Sequence, residues 1–236
     1  MAFLQPHGPR QPVLRAPAVV ILTIAVLVAA HVARTLVSPA LSLDWINRFA
    51  FIPARYSPAF LSLHGIDPGS LLDRAVPFVS YMALHNDYTH LAINCLWLLA
   101  FAPIVARRFG ALLFLLFFLV CGIAGAATHL AFNWGSAEPV IGASGAISGL
   151  MAAALRLLPT ERHWGGGGVA PIFSRQILVF SLIWAAINLL VGLTGLGMGG
   201  EPGLIAWQAH LGGFVAGLLL TGPFDRLRPP PVGEPL

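Results

Sequence analysis

The sequence predicts an all-α integral membrane protein with six transmembrane helices and a long interfacial first loop. Three observations predict it. Of 236 residues, 57% are hydrophobic and 9% are charged, against about 25% charged in water-soluble domains. Six apolar stretches approach the roughly 20 residues that a helix needs to cross a bilayer. The arginines, which are all of the basic residues, divide unevenly between the two sets of connections.

The first stretch runs from Ala16 to Val37. It exceeds the roughly 7–15-residue core of a signal peptide, so it reads as an uncleaved anchor. The second covers Tyr88 to Ala106, the third Ala111 to Phe132, and the fourth Ile141 to Leu158. The fifth covers Phe173 to Leu193 and the sixth Gly203 to Thr221. Ser38 to Asp87 holds Trp45, Phe49, Phe51, Tyr56 and Phe60 with few charges. A structureless connection of that length is unusual, and the aromatics point to short helices at the membrane interface. The apolar run Ala75–Leu84 contains Pro77, so the second helix is placed after Asn86 and Asp87, which are good N-caps. One membrane domain, residues 16–222, lies between an N-terminal tail, 1–15, and a Pro-rich C-terminal tail, 223–236.

Charge sets the orientation. With the N-terminus in the cytoplasm, nine arginines and three acids fall inside, and four arginines and six acids fall outside. Both tails are then cytoplasmic, which agrees with an even number of spans. There is no basic patch of the kind that binds nucleic acid. Cys95 and Cys121 lie within apolar stretches and read as small buried hydrophobes, without metal-ligand spacing.

Polar groups on the second, fourth and sixth helices fall in one layer near the outer face. Such residues are expensive in lipid and read first as functional. Ser144 lies in Ile141-Gly142-Ala143-Ser144-Gly145 at a helix start. Free N–H groups and the dipole there suit a developing oxyanion. His210 is followed by Gly213 and Gly217 on its own face, a small-residue surface that admits a second helix. Gly145 and Gly149 form the matching face beside Ser144. A histidine within reach of a serine is the minimum needed to activate the hydroxyl. His90 and Asn94, four apart, share a helix face and can both donate to an oxyanion.

These residues resemble the rhomboid family of intramembrane serine proteases. The match is His85-Asn86-Asp87-Tyr88-Thr89-His90-Leu91-Ala92-Ile93-Asn94, then Gly142-Ala143-Ser144-Gly145, then Ala209-His210 with Gly213 and Gly217. The resemblance spans about residues 16 to 222 and is to the bacterial six-helix type. It implies a Ser144–His210 dyad without an aspartate, and an oxyanion site made by the Ser144 N–H with His90 and Asn94. It implies transmembrane protein substrates, a location in the bacterial inner membrane, and no cofactor or metal. The first loop matches the family's membrane-embedded loop. Two positions differ. Active members often carry an aromatic residue where this chain has Ser148, and Trp45 is followed by Ile46 in place of the family's Trp-Arg pair. Ser148 has two uses open to it, bonding back to the Ser144 carbonyl or holding His210. The first is favoured, because it needs no partner on another helix.

Two other readings compete. One is a metal- or haem-binding membrane protein that uses His85, His90, His129 and His210. It would be sensitive to chelators. The other is a non-catalytic family member that binds and escorts clients. A fluorophosphonate probe that labels Ser144 separates it from a protease.

The arginine asymmetry generates a topology prediction. In a Cys95→Ala, Cys121→Ala background, Glu138→Cys should react with an impermeant thiol reagent added outside. Arg162→Cys should not. The reverse pattern would invert the orientation.

Overall fold

The computed structural model describes residues 16–158, 168–195 and 206–228. The tails at 1–15 and 229–236 lie outside the described residues, as do 203–205 of the expected sixth stretch.

Helix α1 spans Ala18–Leu36. The long first connection then breaks into short pieces: α2 (Pro39–Phe49), a 3-10 turn (Pro53–Tyr56), α3 (Pro58–His64), α4 (Leu71–Ala75), α5 (Pro77–Ser80) and a second 3-10 turn (Tyr81–Ala83). Their starts are written locally. Ser38 and Ser57 each accept a bond from the third residue on, with proline at the first helical position, and Ser70 forms a capping box with Asp73. No residue of α2 is buried, and Leu41, Leu43 and Phe49 are exposed on it. That is the pattern of a helix lying in an interface.

Helix α6 covers Tyr88–Phe109, and Asp87 caps it through a 2.8 Å bond from the His90 N–H to Oδ1. That bond holds the Asp87 carboxyl below the usual carboxylate range. Gly110 alone joins α6 to α7 (Ala111–Phe132), at a φ of 78° that a side chain would resist. Helices α8 (Ser144–Leu157), α9 (Arg175–Thr194) and α10 (Trp207–Arg226) complete the bundle.

The fourth and sixth stretches differ from expectation. Among the described residues, four helices are long and apolar enough to cross a membrane: α1, α6, α7 and α9. Helix α8 starts at Ser144, three residues after the expected Ile141, and has 14 residues. That is about 21 Å, short of a bilayer core of about 30 Å. Every residue from Gly145 to Ala154 is buried, so α8 is surrounded by protein and needs no lipid-matched length. Helix α10 carries Gln208, His210 and four glycines and is less apolar for the same reason: much of its surface meets other helices. It also continues past the expected boundary at 222 to Arg226. The Asp225 carboxylate holds that last turn by accepting bonds from Arg108 at 2.6 and 3.0 Å.

Where α8 meets α10 the backbones touch. A Cβ on Gly213 would overlap the Gly145 carbonyl, and one on Gly217 would overlap the Gly149 carbonyl and stand 2.7 Å from the Gly149 Cα. Helix α7 joins the same contact, where a Cβ on Gly125 would lie 2.7 Å from the Ala209 oxygen. In lipid, helix association depends on such van der Waals contact, because the tails outside are as apolar as the side chains. On the far end, buried Arg156 donates to the Ala170 carbonyl at 2.8 Å and to the Leu218 carbonyl, pinning the end of α8 to α10.

Gly217→Leu should force α10 away from α8. Overpacking of this kind costs about 1–3 kcal/mol, so we expect a lower melting temperature together with lost activity. Unchanged values for both would remove the glycine contact from the account.

Candidate active site

The site is assembled by the loop that precedes α8. Phe51 and Val140 form an antiparallel bridge, with N–H to O distances of 3.0 and 2.8 Å, and the Ala54 N–H donates to the Ser136 carbonyl at 2.8 Å. The first connection thereby fixes the strand-like segment that enters the bundle. Two residues on, the Gly142 N–H donates to the Tyr81 carbonyl at 2.9 Å. Gly142 has a φ of 117°, and a Cβ there would stand 2.8 Å from His90 Cε1 and Nε2. Both the turn and the space demand glycine.

That turn delivers Ser144 as the first residue of α8. No side chain caps the helix, which leaves its first N–H groups without a capping acceptor. Ser144 Oγ lies 2.7 Å from His210 Nε2. The structure therefore brings together the two residues singled out on the fourth and sixth helices. The Ser148 hydroxyl donates to the Ser144 carbonyl at 2.8 Å, the self-satisfied arrangement.

His90 sits in the first turn of α6. Its Nδ1 accepts from the Asn86 N–H at 3.4 Å. A backbone N–H can only donate, so Nδ1 carries the lone pair and Nε2 carries the proton of the neutral ring. That proton is on the side facing Gly142, next to the serine turn. Asn94 is buried and donates Nδ2 to the His90 carbonyl at 2.9 Å, while its Oδ1 has no hydrogen-bond partner. Its amide is thus turned partly to its own helix. Arg34, in the last turn of α1, holds the segment before α6 by donating to the carbonyls of His85 at 2.6 Å and Asn86 at 3.0 Å.

Of the other histidines, His85 is fully buried 5.0 Å from His90, ring to ring. His129 lies beside Asn133, the C-cap of its own helix. Among the described residues no three His, Cys, Asp or Glu side chains form a group able to hold a metal ion.

A residue that the sequence reading passed over stands on the far side of His210. Asn188, on α9, places Oδ1 2.8 Å from His210 Nδ1 and donates Nδ2 to the Trp207 carbonyl at 3.0 Å. The available signal was an asparagine in the interior of an apolar span, which is expensive unless it has a partner.

The rhomboid domain model matches residues 73–224. The chain belongs to the rhomboid family. Among curated rhomboids, RHOMBOID-like protein 4 of Arabidopsis thaliana is 28% identical over 187 residues, covering 75% of this chain and 43% of that protein. Rhomboid protease GluP of Bacillus subtilis (strain 168) is 32% identical over 136 residues, covering 58% of this chain and 23% of that protein. The chain thus spans less than half the length of these rhomboid relatives. Family and apolar helices together make it an integral, multi-pass membrane protein with a multi-helix bundle.

The bond from Ser148 to the Ser144 carbonyl generates a prediction. Ser148→Ala should retain activity within about tenfold, or about 1.4 kcal/mol of barrier. A thousandfold loss with the fold intact would place Ser148 among the working members of the site.

Proposed function

We propose that this rhomboid is an intramembrane serine endopeptidase that cuts transmembrane protein substrates in or near their spanning segments. The observation that carries the reading is the 2.7 Å contact between Ser144 Oγ and His210 Nε2 at an uncapped helix start. Distances in this range are those required of a nucleophile and its general base. The name of the Bacillus subtilis relative, a rhomboid protease, supports the same activity.

In the proposed reaction His210 Nε2 takes the hydroxyl proton as Ser144 Oγ attacks the peptide carbonyl carbon. The carbonyl electrons move to oxygen. The Ser144 N–H and the His90 Nε2–H then stabilise that oxyanion, with the free N–H of the Asn94 amide as third donor. Collapse breaks the C–N bond, and His210 gives its proton to the leaving amine. Water, deprotonated by His210, attacks the acyl-enzyme and releases Ser144. Each oxyanion donor contributes about 10²–10³ in rate in soluble serine proteases.

The rest of the reading follows from the same assignment. The membrane domain is residues 16–222, extended here to the end of α10 at Arg226. Gly145, Gly149, Gly213 and Gly217 set the spacing of the dyad. Both termini lie in the cytoplasm and the bilayer is a bacterial inner membrane.

Ser144→Ala and His210→Ala should each lower cleavage of a transmembrane substrate by about 10³-fold or more, with unchanged thermal unfolding. A fluorophosphonate should label the wild-type chain and not Ser144→Ala. Substantial cleavage by purified Ser144→Ala would end the serine-protease reading. Unlabelled, inactive wild-type protein would favour the non-catalytic client-binding alternative.

A further inference from the structure

One stripe of α9 faces α10, and its three positions are spaced one turn apart. Trp184 stacks on Phe214 with ring centroids 4.2 Å apart. Asn188 meets His210. Gly192 accommodates Trp207, whose ring a Cβ there would approach to within 2.6 Å. Much of the rest of α9 is exposed, and Ile177 and Gly192 are its buried residues. An antiparallel pair of this kind brings Trp184, Asn188 and Gly192 against Phe214, His210 and Trp207 in turn. Of these three contacts the middle one is polar and touches the proposed base.

The hydrogen-bonding capacities of the groups fix the direction of each bond. The Trp207 carbonyl is an acceptor only, so the Asn188 group facing it is the NH₂. The amide oxygen therefore faces His210 Nδ1, at 2.8 Å. An oxygen there accepts, so Nδ1 must carry the proton and Nε2 of the neutral ring must carry the lone pair. Ser144 does not decide this, because a hydroxyl can donate to Nε2 or accept from it. Only the amide, itself held by a backbone carbonyl, selects the tautomer in which Nε2 can take the serine proton.

We propose that Asn188 is a positioning residue that holds His210 in the Nδ1–H tautomer and thereby aims the Nε2 lone pair at Ser144. The inference rests on the reading of Ser144 and His210 as nucleophile and base. It also accounts for Ser148: its hydroxyl is spent on the Ser144 carbonyl, and the support of the imidazole comes from α9 instead.

The test uses the full-length chain, labelled with ¹⁵N-histidine and purified in detergent at about pH 8, where an ordinary imidazole is neutral. His210 resonances are assigned by their loss in His210→Ala. Wild type should show a protonated Nδ1 and an unprotonated Nε2. Asn188→Leu should lose that preference, and Asn188→Asp, which keeps an acceptor, should restore it. Trp184→Leu weakens the same helix contact without touching His210, and it should leave the tautomer unchanged. In turnover, wrong-tautomer variants of a soluble serine protease lose about 10⁴ in kcat. For loss of a neutral orienting amide we expect a fall of about 10- to 100-fold in kcat for Asn188→Leu, with KM within about twofold.

Two results would overturn the proposal: Asn188→Leu with the wild-type tautomer and kcat, or Trp184→Leu that scrambles the tautomer equally, which would make helix docking the cause. A wild-type chain with the Nδ1–H tautomer but no Ser144-dependent labelling or cleavage would leave the Asn188 bond standing and sink the protease reading beneath it.

Discussion

The contact between the α8 and α10 backbones is the constraint on which the rest of the structure depends. Ser144 and His210 stand at facing positions, and 2.7 Å separates Oγ from Nε2. Two helices with ordinary side chains between them run about 8–10 Å apart. Here Gly145 and Gly149 on one side and Gly213 and Gly217 on the other remove those side chains at successive turns. The helices can then close until carbonyl oxygens meet α-carbons. Helix α7 applies the same device from a third direction, with Gly125 against the Ala209 carbonyl and Gly212 of α10 against Thr128 and the Ala124 carbonyl. The Ser144–His210 distance is a property of this three-helix contact.

The close-packed centre also changes what its helices must look like. A helix that faces lipid has to be apolar over its whole length, whereas one enclosed by protein answers to its neighbours. Helix α8 can therefore be 14 residues long and begin on a loop held by protein. The loop is tolerated because its backbone groups are bonded by protein, through the Phe51–Val140 bridge and the Gly142 bond to Tyr81. Helix α10 can carry His210 near its start because α8 and α9 offer it partners, Ser144 and Asn188. Polar atoms inside the bundle repeatedly use backbone carbonyls for this purpose: Tyr81 on Gly122, Thr221 on Gly217, Arg156 on Ala170.

A division of labour follows around the site. The first connection, with Arg34 tied to the carbonyls before α6, places His90 and the turn at Gly142. The α7–α8–α10 centre places Ser144 against His210. Helix α9, mostly exposed, contributes the Asn188 amide, which meets both His210 and the Trp207 carbonyl. Each part acts on a different atom of the arrangement, so the imidazole of His210 is met by Ser144 at Nε2 and by Asn188 at Nδ1.

Properties that depend on neighbouring residues were legible in the sequence. Apolar length marked α1, α6, α7 and α9, and Asn86 and Asp87 marked the start of α6 at Tyr88. Glycines four apart, next to Ser144 and His210, marked two surfaces able to touch, because a helix turns every 3.6 residues whatever surrounds it. Other properties depend on what lies across the bundle. The late start of α8, the extension of α10 to Arg226 through the Asp225–Arg108 pair, and the bond from Asn188 to His210 join residues that are remote in the chain. Apolar length located α8 and α10 but misplaced their ends, since it measures exposure to lipid and these helices are largely enclosed. The sequence by itself determined which segments are helical and which faces are small or polar. Only the tertiary structure decided which faces meet, because the partners that satisfy a buried polar atom are supplied by packing and leave no periodic trace along the chain.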